Sequence, residues 1–375
     1  MEALVSQMFS VGFGIILPFI FVLTIVVFFH ELGHFYVARR CGVTVEVFSV
    51  GFGRSLASWH DKHGTQWKIG WMPLGGYVKF LGDENAASAP DIEAIEKMDP
   101  QTRKTTLLER PLGQRIAVVA AGPVANFILA IIIFAGLYAV LGQRVTDPLV
   151  GAVVADSAAE RAGFQPGDLI TAIDDTRVET FAEVRRIVTV NADTELMFEI
   201  RRDGELLVLP ATPDWYLETD RFGNEFRIGR LGVSVGLDQA NARHVRYNPV
   251  TAVWMGVKES YFIVEQTFAV LGRIVTGRES AESLGGPIRI AQLSGQAASL
   301  GLVALINLTA VLSVSIGLIN LFPIPMLDGG HLMFYAYEAV AGKPMPEKVQ
   351  EVGMRIGLSL VLALFVFVTW NDITR

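Results

Sequence analysis

Two histidines four residues apart, with a glutamate between them, are the side chains best placed to do chemistry: His30-Glu31-Leu32-Gly33-His34. On a helix, positions four apart share a face. His30 and His34 can therefore present two imidazoles to one zinc ion, with Glu31 one step round as a base toward water on that ion. The motif ends an apolar run with no polar preamble, FVLTIVVFFHELGH. Ionisable groups inside a spanning helix are costly and mark function. Catalytic zinc takes three protein ligands and keeps one position open, so a third donor must come from elsewhere. The stretch SIGLINLFPIPMLDGGHLM offers two. Asp328 is a carboxylate in apolar surroundings, where an uncompensated charge is expensive, and His331 competes with it. Asn320 and Asp328 flank Pro323 and Pro325. These prolines and Gly329-Gly330 are expected to break the helix, shaping backbone around a cavity.

The elements that would carry these groups read as membrane spans. The chain is 51% hydrophobic and 18% charged, against about 25% charged in an average soluble domain, which points to an integral membrane protein. A net charge of -7 without a dominant basic patch excludes a nucleic-acid partner. Cys41 is the one cysteine, so an intramolecular disulfide and a thiolate zinc site are both excluded. His60 and His63 look like a second metal pair but read as water-exposed turn residues.

Length and lack of charge place four spanning helices at roughly 11–38, 116–141, 301–322 and 354–370. The first has only Glu2 ahead of its apolar run and ends in the histidine motif rather than a cleavage site, so it reads as a retained helix. Basic residues cluster at Arg39 and Arg40, at Arg103, Lys104, Arg110 and Arg115, and at Lys343, Lys348 and Arg355. The positive-inside rule then sets both termini outside and the histidine motif near the cytoplasmic end of its helix. The expected divisions are a first helix (1–42), a β-hairpin and linker (43–115), a second helix (116–142), a small α/β domain (147–237), an interfacial helix and connector (245–298), a third helix (299–340) and a fourth (346–375).

The hairpin joins 43–53 to 67–82, where Gly75, Gly76 and Tyr77 form a Gly-rich extension. It is too apolar for an ordinary cytoplasmic loop and fits a place tucked against the helices. Its edge could pair with an extended peptide. Residues 83–110 read as a charged, solvated linker with room for a short helix. In the second helix Pro123 is tolerable, and Asn126 should find a partner on another helix. Within 147–237 a hairpin turns at Asp203-Gly204. Residues 250–276 form an apolar stripe interrupted by Lys258, Glu259, Glu265 and Arg273, hence an interfacial helix. A Gly/Pro-rich connector, GRESAESLGGPIRI, follows.

Two resemblances refine this picture. AAERAGFQPGDLI resembles the middle of a PDZ domain. IGRLGVSV at 228–235, holding Leu231, Gly232 and Val233, resembles its carboxylate-binding loop, placed last as in the circularly permuted bacterial type. That likeness implies either capture of peptide C-termini or a spacer that sterically guards the membrane site. With HELGH, AGPVANF, PLGGYVKF, LGGPI and NLFPIPMLDGG, the whole chain resembles the site-2 protease family, most nearly the bacterial regulator of sigma-E protease type. The resemblance implies a polytopic α-helical membrane protein with four transmembrane helices, a membrane-associated β-hairpin and one inserted extracytoplasmic α/β PDZ-like domain. It implies an intramembrane zinc protease of the bacterial inner membrane. His30, His34 and Asp328 would be the zinc ligands and Glu31 the general base. Asn320 would help bind or polarise the substrate, and the hairpin would present it. The implied partners are membrane lipid and single-span membrane proteins such as anti-sigma factors, already trimmed, or signal-peptide remnants. One PDZ-like domain stands where the enterobacterial form has two. The rivals are a non-catalytic membrane PDZ scaffold with a structural metal and a zinc transporter. A structural zinc prefers four protein ligands, and a transporter needs further intramembrane ionisable groups along a path.

Overall fold

In an apolar medium a backbone has only itself to bond, so the long apolar runs of this chain become helices. The computed structural model describes residues 2–84, 91–219, 225–235, 242–277 and 285–374. Two units form, one of residues 1–135, 253–267 and 284–375, the other of 136–252 and 268–283.

The first unit begins with α1 (Glu2–Arg40), which passes through Pro18 and closes on Arg39 and Arg40, cations suited to the negative end of the helix dipole. The hairpin follows as β1 (Val45–His60) and β2 (Gln66–Phe80), paired antiparallel. Asp61 organises its turn. Its carboxylate accepts from the backbone N–H of His63 (2.8 Å) and Thr65 (3.1 Å) and from Trp67 Nε1 (3.3 Å), and it pairs with Arg39 at 2.9 Å. His60 and His63 are exposed. Phe35 meets Phe48 and Trp67 edge to face where the hairpin joins α1, and Phe48 is fully buried. The expected linker carries two short helices, α2 (Ile92–Glu96) and α3 (Pro100–Arg103), N-capped by Asp91 and Asp99; its residues 85–90 lie outside those described. The helix α4 (Leu112–Val140) runs on through Pro123.

The second unit is sheet-rich. Its elements are β3 (Gln143–Thr146), β4 (Val150–Val153), α5 (Ala158–Ala162), β5 (Leu169–Ile173), β6 (Thr176–Arg177), α6 (Phe181–Val190), β7 (Leu196–Arg202), β8 (Glu205–Ala211), β9 (Asp214–Thr219), β10 (Glu225–Arg230), β11 (Val233–Val235) and β12 (Ala242–Val245). A four-stranded sheet runs in the order β6-β5-β7-β8, and β4–β11, β9–β10 and β3–β12 pair separately. The hairpin β7–β8 turns at Asp203 (φ 50°) and Gly204 (φ 91°), both left-handed as a tight two-residue hairpin requires. Ile170 of β5 and Phe198 and Ile200 of β7 are the sheet's fully buried centre, and Leu231 packs beside them. Asp168, also fully buried, is held by Arg202 through Nε at 2.7 Å and Nη2 at 2.8 Å.

The helix α7 (Pro249–Val275) is N-capped by Asn248 and carries the expected interrupting charges. Residues 278–284 of the expected connector lie outside those described; its last part, from Pro287, is instead the start of α8 (Pro287–Leu300). Its N-terminal cap is supplied from far away in sequence: Asp372 accepts from the N–H groups of Gly286 (2.9 Å), Ile288 (3.0 Å) and Arg289 (3.1 Å). No local capping residue announces the helix. The spanning helix expected at 301–322 forms as a helix over Leu302–Asn320, within the wider division 299–340. Gly301, at φ 111°, separates α8 from α9 (Leu302–Asn320), and residues 321–327 separate α9 from α10 (Asp328–Ala341). Pro323 and Pro325 break the helix as expected, but Gly329 and Gly330 begin the next one. A Cβ on Gly329 would stand 2.2 Å from the Phe322 carbonyl oxygen, so glycine lets the returning helix pack onto its own turn. The last helix is α11 (Glu347–Thr374). Among the described residues, four helices are long and apolar enough to cross a membrane: Phe13–Arg40, Leu112–Val140, Leu302–Asn320 and Lys348–Thr374.

Candidate metal centre

His30 and His34 leave α1 one turn apart, with Nε2 atoms separated by 3.2 Å. Asp328, the first residue of α10, brings Oδ2 to 3.1 Å from His30 Nε2 and Oδ1 to 3.5 Å from His34 Nε2. Among the described residues these three make the one cluster able to hold a metal ion, with ligand atoms within 4.8 Å of one another. Ligands about 2.0–2.1 Å from a tetrahedral zinc stand roughly 3.3 Å apart, so the spacing fits. A second observation points the same way. Beyond its approach to His30 Nε2, Asp328 Oδ2 is shielded from solvent and has no hydrogen-bond partner among the described residues, a state that a carboxylate oxygen tolerates when a cation compensates it.

The ring orientations follow from neighbours on α4. Nδ1–H of His34 donates to the Val118 carbonyl at 2.9 Å, which leaves Nε2 as the free lone pair. Asn126 Nδ2 lies 3.2 Å from His30 Nδ1, and Asn126 Oδ1 has no partner among the described residues. Exchanging the amide's oxygen and nitrogen satisfies both groups: Oδ1 would then accept Nδ1–H and free Nε2 of His30. The expected partner of Asn126 on another helix is therefore His30. Close approach of the helices depends on two glycines. A Cβ on Gly33 would sit 2.3 Å from the Ala121 carbonyl oxygen, and one on Gly122 would sit 2.2 Å from His34 Nε2.

Further contacts fix α10 and α9. Arg115 of α4 pairs with Glu338 of α10, Nη1 to Oε2 at 3.0 Å. Ser313 of α9 donates to the Asn126 carbonyl at 2.8 Å. In the intervening turn Met326 has φ 89°, a left-handed conformation that costs about 1–3 kcal/mol for a residue with a side chain. A Cβ on Gly357 of α11 would stand 2.1 Å from the Pro325 carbonyl oxygen, so α11 lies directly on this turn.

A cavity of about 210 Å³ opens at the cluster. Glu31, Asn320, Gly76, Tyr77 and His331 line it together with His30, His34 and Asp328. Glu31 receives a backbone hydrogen bond from Val78. A Cβ on Gly76 would come within 3.2 Å of Glu31 Cγ, so β2 runs directly beside that glutamate. Gly75 does not line the cavity; at φ 112° it packs on the Phe52 ring. His331 lies outside the ligand cluster. Leu231 and Gly232 serve their own unit: the Leu231 side chain is core, and the two carbonyls accept from Ala159 (2.7 Å) and Val154 (2.8 Å). Val233 pairs with Val153. The roles of Gly122 and of the Val118 carbonyl have no signal in the sequence, since both exist only once α4 lies against α1.

Comparison with known proteins agrees with this chemistry. The model of Peptidase family M50 matches residues 18–364. A protein of Agrobacterium fabrum, designated by inference a zinc metalloprotease, is 50% identical over 369 residues, covering 98% of each chain. A similarly designated protein of Rhizobium meliloti is 49% identical over 355 residues, 95% of each chain. The metalloprotease MmpA of Caulobacter vibrioides is 39% identical over 388 residues, 97% of each chain. With a match along nearly its whole length and relatives of this identity, the chain belongs to Peptidase family M50, the site-2 proteases.

Proposed function

We propose that this zinc metalloprotease hydrolyses peptide bonds within or beside the transmembrane segments of single-span membrane proteins, with His30, His34 and Asp328 holding the zinc. The observation that carries the reading is the ligand cluster itself: two imidazoles from a helix of membrane-spanning length meet a carboxylate whose Oδ2 has no other partner among the described residues. Three protein ligands leave one position open, as catalysis needs and a structural site does not.

Zinc held there supplies a Lewis acid that polarises a carbonyl and lets water attack near neutral pH. Glu31 takes the proton from the attacking water and delivers it to the leaving nitrogen. Asn320, at the end of α9 and lining the cavity, donates to the carbonyl oxygen as charge develops, an interaction worth about 3–4 kcal/mol when well placed. A helical substrate hides its peptide groups in its own hydrogen bonds, so it must unwind first. The edge of β2 at Gly76 and Tyr77, beside Glu31, holds the extended form by strand addition.

The second unit is read as a PDZ-like domain on the extracytoplasmic side, which recognises substrate C-termini or admits substrates already shortened. Both termini then lie outside a bacterial inner membrane, with the zinc site toward the cytoplasm, a reading supported by the distribution of Lys and Arg. Anti-sigma factors and signal-peptide remnants have the required single span.

The test uses purified protein in lipid, wild type beside Glu31→Gln, with a model single-span substrate full length and stripped of its outer domain. Wild type is expected to cleave in a zinc-dependent manner and to prefer the shortened form, while Glu31→Gln keeps its zinc and loses cleavage. Substantial cleavage by Glu31→Gln would remove the glutamate from its role, and absence of bound zinc in wild type would sink the reading.

A further inference from the structure

His331 stands three residues after Asp328 on α10, hence on the same helix face, and its ring lines the cavity that holds His30, Glu31, Asn320 and Asp328. It is outside the ligand cluster. Among the described residues its ring makes an edge contact with Phe334, centres 6.4 Å apart, and no hydrogen bond to protein. A neutral imidazole carries one donor and one acceptor. Neither ring nitrogen of His331 is among the shielded, unpartnered atoms of the described residues, and the ring lines the cavity, so its N–H stays open to a carbonyl bound there. Asn320 and His331 moreover bracket the 321–327 turn, one closing α9 and the other in the opening turn of α10, so two hydrogen-bond donors enter one cavity from opposite ends of the same break.

We propose that His331 is a catalytic residue that donates its ring N–H to the scissile carbonyl oxygen, completing with Asn320 a two-donor oxyanion site. The inference rests on the protease reading above. As the water oxygen bonds to the carbonyl carbon, its proton goes to Glu31 and the carbonyl π pair moves onto oxygen, where His331 and Asn320 donate. When the C–N bond breaks, its electron pair leaves with nitrogen, which takes the proton from Glu31. The His331 proton stays on the ring throughout.

The experiment compares full-length wild type, His331→Phe and His331→Gln in lipid, measuring kcat, KM and zinc stoichiometry on one single-span substrate; His331→Ala replaces the phenyl variant if that protein does not fold. The apolar variant is expected to keep its zinc and its KM and to lose about 10²–10³-fold in kcat, the usual cost of an oxyanion donor. His331→Gln, which retains an N–H, is expected to recover at least part of that loss. An unchanged kcat, a raised KM with kcat intact, or zinc lost from every variant overturns the proposal while leaving the protease reading in place. Wild type that binds zinc but cleaves no single-span substrate overturns both.

Discussion

Nε2 of His34 fills the space in which a Cβ on Gly122 would stand, 2.2 Å away. The ring nitrogen offered to the metal is thus packed against bare backbone of α4. Gly122→Ala is a gain in helix propensity, yet the added methyl group can be accommodated only by moving the ring. Misplacement of a reacting group by about 1 Å costs roughly 100-fold in rate. The expected result is a stable, helical protein with weakened zinc binding and at least that loss of proteolysis. Wild-type rates in this variant would mean that the ring has slack.

Asn126 should act through His30. Asn126→Leu keeps much of the volume and removes the acceptor for Nδ1–H, and loss of such an outer partner typically costs about 10–100-fold in metal affinity. Asn126→Asp retains the acceptor and should lose less. Titration with a graded chelator series, reading residual zinc, separates the two; equal retention by all three proteins would reduce Asn126 to helix packing.

These residues also mark how far the chain could be read in advance. His30, Glu31, His34 and Asp328 stood out because charged side chains in apolar runs need a reason. Asn126 stood out for the same cause, but its partner is ninety-six positions away, a distance that no local pattern spans. Gly122 was silent, since one glycine among alanines means nothing until another helix lies against it. The helix α8 carries no local start signal, because its cap, Asp372, comes from the far end of α11. By sequence Gly329 and Gly330 look like helix breakers, whereas the contact they permit with the preceding turn lets a helix start there.

Asp83 offers a pH signature. Burial pushes its carboxyl up to about 7, and Glu46 adds to the shift, against the Phe80 N–H and Lys79. In the unfolded chain the value is about 3.9. The folded protein therefore holds the extra proton between these values, so stability falls as pH rises from about 4 to 7 and stays lower above it. Asp83→Asn keeps an acceptor for the Phe80 N–H, now at 3.0 Å, and removes the charge. Thermal unfolding should show a gain in Tm for this variant at pH 8 and none at pH 4. The same shift at both pH values would contradict the assignment.

In the sheet-rich unit, Arg202 holds a carboxylate with no exposure to solvent. Arg202→Met would leave Asp168 charged with only the Gln165 N–H, at 2.8 Å, for company. Breaking a buried pair costs about 3–5 kcal/mol, and the part of Arg202 that reaches solvent argues for the lower end. Denaturant unfolding of the full chain, followed by a probe in this unit, reads the loss directly. A change below about 1 kcal/mol would mean that Asp168 takes up a proton instead.

The donors of the candidate zinc site come from the first helix and from the last quarter of the chain, with nearly 300 residues between His34 and Asp328. During synthesis the two histidines enter the membrane long before the carboxylate exists. A nascent chain thus holds two of the three proposed zinc ligands and only part of the proposed machinery for hydrolysis. Catalytic competence arrives when α10 folds back beneath its own turn, late enough that an unfinished copy has no completed site with which to cut its neighbours.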